Sequence, residues 1–287
     1  MYKILKKQKW SDTIYSNWIE APFVAKAAQP GQFIILITNQ KGERIPLTIA
    51  DSNATEGWVQ IVYQVVGAST LELSLMNEGD SLYAFVGPLG IPSEVENFGG
   101  KVLIIGGGIG IAPIHPIAKK LKELGNYVVS IIGALTKDLI IMEDKMKEAS
   151  NELHIATDDG TYGQKGFVTN IMDDILKKES EAIKDIWAIG PPIMMKMCTR
   201  VANEHNKQIW VSLNSIMVDG TGMCGACRVS VGGKTKFACV DGPEFRGSLV
   251  NFDEMILRQK QYCDQEREAL MLLRKLKDVC SANHHTV

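Results

Sequence analysis

The run Lys101-Val-Leu-Ile-Ile105-Gly106-Gly-Gly-Ile-Gly110-Ile-Ala-Pro113 decides the class of this chain. An apolar stretch without polar alternation reads as a parallel strand buried on both faces. The glycine loop after it opens a helix, and Pro113 suits that helix's first turn. Four glycines in five positions, from Gly106 to Gly110, leave backbone N–H groups free, and a phosphate at the helix N-terminus is the use their chemistry suggests. Gly107, Gly108, Ile109, Gly110 and Pro113 are therefore the candidate dinucleotide contacts. The loop is not a Gly-x-Gly-x-x-Gly fingerprint, because counting from Gly106 puts Ile111 at the third glycine. His115, one turn further on, reads as a packed helix residue rather than a catalyst.

Working outward, strands expected over 127–133, 152–157, 186–190 and 209–214 alternate with helical segments and complete an open, doubly wound sheet. Ligands bind at the carboxyl ends of such strands. Those ends carry Asp158, with Asp159, and Gly190, so Asp158 and Gly190 join the candidates; a solvated turn is the other reading of the two aspartates. A 2′-phosphate on the coenzyme would call for basic residues after the second strand. Only Lys137 stands there, beside Asp138, which favours NAD.

Before residue 99 the pattern is different. Short β-rich runs over 33–38, 58–66 and 81–86 are separated by turn formers such as Pro30-Gly31 and Glu78-Gly79-Asp80, and read as an antiparallel barrel. A single helix is expected to interrupt them, starting at Ser69-Thr70 and burying Leu71, Leu75 and Met76. Three stretches suit a flavin dinucleotide. They supply Arg44, Pro46, Leu47 and Thr48; then Tyr63, Gln64, Val65, Gly67, Ser69 and Thr70; and finally Gly87 in Gly87-Pro-Leu-Gly90. The strand would offer hydroxyl and backbone donors to the isoalloxazine, and the helix N-terminus would face the pyrophosphate. Small barrels also contain such turns for purely structural reasons.

Beyond the open sheet, Asp219-Gly-Thr-Gly-Met-Cys224-Gly-Ala-Cys227 is followed after eleven residues by Cys239. This is the plant-type 2Fe-2S spacing with Asp219 in place of the first cysteine. Gly220, Gly222 and Gly225 allow the backbone to curl its N–H groups toward inorganic sulfide. Asp219, Cys224, Cys227 and Cys239 are the candidate iron ligands. Two other readings stay open: zinc on the three thiols, with His205 near in sequence, or a fourth ligand drawn from Cys198, Cys263 or Cys280. Residues 252–278 read as one long charged helix with Met255, Leu270, Leu273 and Leu276 on its apolar side, and Cys263 and Cys280 as plain thiols.

Composition limits the functions available. With 287 residues and 45% apolar content the chain can build two domains and an appendage. The 31 basic and 33 acidic residues supply no bulk charge for nucleic acid or an anionic membrane. The N-terminal stretch lacks the apolar core of a secretory signal, so a soluble cytoplasmic protein is expected, with its six cysteines serving as ligands and free thiols rather than disulfides.

The order of these parts resembles the ferredoxin-NADP reductase superfamily. The cluster loop ending Ala238-Cys-Val-Asp-Gly-Pro243 resembles, more narrowly, the electron-transfer subunits of dihydroorotate dehydrogenase and their relatives. Their flavin motif Arg-Pro-x-Ser falls on Ile45-Pro46-Leu47-Thr48, leaving the arginine one position early at Arg44. Asp219 is similar to the aspartate that completes the cluster site in small subunits of the bifurcating NADH-dependent reduced ferredoxin:NADP oxidoreductases. The resemblance implies an FAD-binding barrel over 1–98, an NAD-binding α/β domain over 99–214, a 2Fe-2S domain over 215–250 and a helical extension over 251–287. It also implies an oxidoreductase that exchanges hydride with NAD(H). Single electrons would pass to a larger iron-sulfur flavoprotein subunit in a heterodimer, with ferredoxin served through that partner. Electron-transfer subunits for dihydroorotate or sulfide oxidation share this chemistry and differ in the partner, and a zinc-stabilised binding module is the non-enzymatic reading.

Overall fold

The computed structural model describes residues 2–283. Seven strands build the first sheet: β1 (Tyr2–Lys9), β2 (Ile14–Glu20), β3 (Phe33–Ile37), β4 (Ile45–Asn53), β5 (Trp58–Gln64), β6 (Ser81–Leu82) and β7 (Ala84–Leu89). Their order is β6-β1-β2-β5-β4-β3-β7, with antiparallel pairing throughout. Only Tyr83 separates β6 from β7, yet these strands occupy opposite edges. One stretch of chain thus spans both edges and rolls the sheet into a nearly closed barrel. Along β3 the side chains alternate: Ile34 and Leu36 fill the barrel, whereas Phe33 and Ile35 point outward into a second core.

The sequence pattern here is incomplete in three ways. Strands β1, β2 and β4 add to the expected set, and a second helix, α1 (Pro22–Ala27), opens on Pro22 in its first turn. The expected helix forms as α2 (Ala68–Leu75), but it buries Leu73 and Ser74, leaving Leu75 46% exposed. The barrel meets this short helix along the Leu73 ridge, so its inward face is rotated from the one read off the pattern.

The second sheet contains β8 (Lys101–Gly107), β9 (Tyr127–Ala134), β10 (Glu152–Thr157), β11 (Gln164–Lys165), β12 (Ile183–Ile189) and β13 (Trp210–Ser212), all parallel, in the order β11-β10-β9-β8-β12-β13. Helices α3 (Ile111–Glu123) and α4 (Glu143–Ala149) cover one face; α5 (Val168–Glu179) and α6 (Pro192–Glu204) cover the other. Buried apolar residues on both faces explain why its central strands carry no alternation.

The cysteine-rich region forms a hairpin, β14 (Arg228–Val231) with β15 (Lys234–Phe237), the short helix α7 (Ala238–Asp241), and β16 (Glu244–Arg246). Strand β16 pairs antiparallel with β13 and becomes the edge of the parallel sheet. Cys227, Val229 and Cys239 pack in the same core as Phe33 and Ile35 of the barrel and Leu103 and Ile186 of the second sheet.

The single helix expected over 252–278 is two helices, α8 (Phe252–Gln259) and α9 (Cys263–Asn283). At the break the amides bond back three residues: Lys260 to Leu257, Gln261 to Arg258 and Cys263 to Lys260, at 3.1–3.4 Å. That tighter turn ends α8 without glycine or proline. Met255 is buried where α8 packs on α6 and β14, and Leu270 and Leu273 are half-buried on α9, which reaches α2 of the barrel. The Leu276 and Cys280 side chains lie outside the described residues. Among the described residues no helix is long and apolar enough to cross a membrane.

Candidate cofactor and cluster sites

The loop from Asp219 to Cys227 carries three of the predicted iron ligands, and Cys239 follows on α7. Gly220 and Gly222 adopt φ of +83° and +86°, a region other residues rarely enter. A Cβ at Gly220 would lie 2.5 Å from Ile35 Cδ1 of the barrel, so the glycine also permits the loop to seat on β3. Cys224 is exposed, and its sulfur accepts a hydrogen bond from the Ala226 amide at 3.5 Å. That amide, and next the Asp219 amide, hold the Cys224 thiol below its usual range. Cys227 and Cys239 are buried with sulfurs 3.1 Å apart. Burial, then the neighbouring Cys227 thiol, pushes Cys239 up to about 12.

Asp219 extends one carboxylate oxygen to the Thr221 amide at 3.0 Å and to the Thr221 hydroxyl. The other lies 3.4 Å from Arg44 Nη1. The Thr221 hydroxyl first, then its amide, hold this carboxyl below the usual range, with the Arg44 charge a smaller contributor. The set fits a binuclear cluster: two buried thiols side by side, a thiol and a carboxylate across the loop, and backbone amides aimed at sulfur. Among the described residues no three histidine, cysteine or acidic side chains are placed to hold one metal ion, the predicted iron ligands included. His205 is engaged elsewhere, its Nε2 lying 2.8 Å from Asp173 on α5. Cys198 is buried, its thiol pushed up to about 12 by desolvation, and Cys263 is half-buried.

The predicted flavin segments fall on neighbouring elements. Pro46, Leu47 and Thr48 lie half-buried on β4, which pairs with β5 carrying Tyr63 and Gln64. Val65, Gly67, Ser69 and Thr70 continue from β5 into the start of α2, and Gly87 stands on β7, across β3 from β4. Thr70 Oγ1 accepts from the Val66 and Gly67 amides at 3.1 Å, and the Ser69 hydroxyl donates to Glu43. The Tyr63 side chain points into the barrel, stacked on Tyr15, where burial raises its phenol; only its main chain faces outward. Val65 donates its amide to the Thr13 carbonyl at 2.7 Å.

In the glycine loop, Gly108 to Gly110 form one 3₁₀ turn at the N-terminus of α3, and Pro113 lies in the helix's first turn. A Cβ on Gly110 would stand 2.2 Å from the Ile189 carbonyl oxygen, and one on Gly107 would strike the Met194 sulfur. Gly190 packs against the Gly107 carbonyl in the same way. Asp158 is exposed at the end of β10, on the same sheet edge. These glycines bring two strand ends together and leave the helix N-terminus open for an anionic group.

Several residues that sequence reasoning left aside tie the domains. His115 is buried on α3, its Nδ1 3.0 Å from the Ala50 carbonyl of the barrel. Lys145 on α4 donates to Asp51 and Gln60 of the barrel, both at 2.7 Å. Burial alone would raise the Asp51 carboxyl, but the Lys145 hydrogen bond and charge bring it below the usual range. A cleft of about 190 Å³ lies beside this seam, lined by Asp51, Pro116 and Lys119 among others and by none of the predicted cofactor residues. On the far side, half-buried Glu244 of β16 accepts from Ser93 Oγ at 2.7 Å and Trp187 Nε1 at 3.2 Å. Desolvation raises its carboxyl to about 7, the Glu94 charge adding to the effect. No periodicity marks these pairs; each joins residues far apart in the chain.

A nearly closed barrel, a doubly wound sheet with a glycine-loop helix, and a cysteine loop between them define a ferredoxin-reductase-like oxidoreductase. Residues 104–200 match the oxidoreductase NAD-binding domain, and residues 214–251 match the iron-sulfur cluster binding domain of dihydroorotate dehydrogenase B. The chain is 54% identical to the dihydroorotate dehydrogenase B electron transfer subunit homolog of Thermotoga maritima, covering 92% of this chain and 93% of that one. It is 31% identical to the corresponding electron transfer subunit of Geobacillus thermodenitrificans, over 86% and 96% of the two chains. It is also similar to a chain in the solved structure of the NADH-dependent reduced ferredoxin-NADP oxidoreductase, with 51% identity, a TM-score of 0.89 and coverage of 94% and 96%. The chain belongs to the dihydroorotate dehydrogenase B electron-transfer subunit family. It is a flavin- and iron-sulfur-type oxidoreductase with an NAD-binding domain.

Proposed function

We propose that this chain is the small subunit of a bifurcating NADH-dependent reduced ferredoxin:NADP oxidoreductase. In it, hydride is exchanged with NAD(H) and single electrons with a larger iron-sulfur flavoprotein that handles NADPH and ferredoxin. The observation that carries the reading is the seat of the cluster loop on the flavin-type barrel: Gly220 against Ile35 and Leu89, and Arg44 3.4 Å from Asp219. The 51% identity to the bifurcating complex supports the choice of partner. Asp219, Cys224, Cys227 and Cys239 hold the 2Fe-2S cluster. Pro46 to Thr48 of β4, the Tyr63 to Val65 main chain and the α2 N-terminus would hold FAD. Bound FAD supplies the conversion between hydride transfer to nicotinamide and one-electron exchange with the cluster.

The chain's own residues bind and orient. The amides of Gly108 to Gly110 and the α3 dipole would hold the NAD pyrophosphate at the carboxyl ends of the strands. Hydride transfer needs no protein acid or base, and no catalytic side chain is assigned. With Cys227 and Cys239 buried and Cys224 exposed, a cluster held here would be shielded from water by two ligands and open to a partner at the third.

Absorption spectra of the anaerobically purified chain test this reading, with iron, zinc and released flavin measured on the same sample. FAD and two irons per chain, bleached by NADH, are expected; zinc without flavin would overturn it. Co-purification tests the partner: a large iron-sulfur flavoprotein is expected, and a dihydroorotate-binding barrel would replace bifurcation with dihydroorotate oxidation.

A further inference from the structure

The arginine of the flavin motif is displaced by one residue, and strand register shows what that does. On β4, Ile45 pairs with Leu36 and both point into the barrel; Pro46 pairs with Ile35, which faces the cluster loop. Side chains alternate along a strand, so a shift of one residue moves a side chain to the opposite face. Arg44 stands immediately before β4, and its side chain reaches the loop that seats on Ile35. Its Nη1 lies 3.4 Å from both the Asp219 carboxylate and the Asp219 carbonyl oxygen. Among the described residues it is the cation that pairs with Asp219. The guanidinium spans a chain separation of 175 residues to reach the one oxygen donor in a set otherwise made of thiols.

We propose that Arg44 is a positioning residue for the cluster's carboxylate ligand, rather than a flavin-phosphate contact, and that its charge raises the cluster's reduction potential. The proposal rests on the assignment of Asp219 as an iron ligand. The Thr221 amide and hydroxyl occupy Asp219 Oδ2, and Arg44 takes one lone pair of Oδ1, so the lone pair left for iron is on the oxygen that Arg44 holds. Reduction adds one negative charge to an already anionic centre, and a fixed cation one ligand away favours the reduced form. The guanidinium is half-exposed, which moderates the effect without removing it.

The test uses anaerobically purified holoprotein carrying Arg44→Gln or Arg44→Lys, with iron, FAD, the EPR spectrum of the reduced cluster and its midpoint potential as readouts. Arg44→Gln is expected to keep FAD at the wild-type level and to change the EPR line shape. It should lower the equilibrium constant for cluster reduction about tenfold, equivalent to about 59 mV for a one-electron couple. Arg44→Lys retains the charge and should restore most of the potential. If Arg44→Gln loses iron, the proposal requires that FAD be retained and that Arg44→Lys keep both. Loss of FAD with an unchanged cluster potential would make Arg44 a flavin residue and overturn the proposal, as would equal shifts in the two variants. Absence of a cluster from the wild-type chain would instead refute the functional reading beneath it.

Discussion

Replacing Glu244 by glutamine should remove a pH dependence that the wild-type fold carries. The Glu244 carboxyl joins three parts of the chain, accepting from Ser93 after the barrel and from Trp187 on β12, with no cation among its bonded partners. Its carboxyl is raised from 4.5 to about 7, so the folded state holds a proton that the unfolded chain releases at lower pH. Between those values the native state binds more protons, and stability must fall as pH rises. The contribution is complete below about pH 4.5 and is lost as pH passes through about 7. The whole shift corresponds to about 3 kcal/mol; because the side chain is only half-buried, water screens part of it and a loss of about 2 kcal/mol is expected. Glutamine preserves the shape: its oxygen can accept from Trp187 and its amide can donate to Ser93. Urea unfolding of FAD-saturated holoprotein at pH 5, 6, 7 and 8, followed by circular dichroism, should show the wild type losing about 2 kcal/mol more than Glu244→Gln over this range. Equal pH slopes for the two proteins would refute the reasoning.

Other perturbations follow from the same contacts. Asp219→Ala should reduce iron content and alter the EPR signal, and Cys227→Ser should abolish the cluster while leaving FAD bound; an unchanged signal from Asp219→Ala would hand its place to another ligand. Gly110→Ala would press a methyl 2.2 Å from the Ile189 carbonyl and should cost more than about 2 kcal/mol along with NAD binding. Gly108→Ala meets no atom within 4 Å but has φ of +54°, so thermal unfolding should show a loss of only about 1 kcal/mol. Lys145→Met would leave Asp51, whose side chain is 13% exposed, with the Ser52 amide at 3.0 Å and Lys119 at 3.8 Å, lowering stability by about 1–3 kcal/mol in denaturant titrations. Asp51 is ionised and stabilising above its unfolded value of 3.8, and that contribution disappears as pH falls through its lower folded value, so the wild-type advantage should vanish in acid.

Regions where one period dominates were legible in the sequence. Strand β8 and its glycine loop are apolar throughout because both faces are covered, and the cysteine spacing marked out the loop and short helix on which Asp219, Cys224, Cys227 and Cys239 stand. Strand β1 was not legible: four lysines share its eight residues, and Ile4 is its one fully buried side chain. The break between α8 and α9 carries neither glycine nor proline and is made by amides that bond back three residues. The sequence located a displaced flavin arginine but could not supply its partner, because the Arg44–Asp219 contact depends on β4 register and on the cluster loop folding back over 175 residues.

The pairing of β13 with β16 has a consequence for how such a protein is assembled from parts. The chain leaves the parallel sheet at Ser212 and re-enters beside it at Glu244, directly opposite in register. The segment that carries the four candidate iron ligands is therefore an excursion between two adjacent positions of one sheet, with entrance and exit a single strand spacing apart. A gene can gain or lose such an excursion without rerouting the chain on either side. The segment is thus an insertion mounted on a nucleotide-binding frame, sharing its core and finishing its hydrogen-bonded edge.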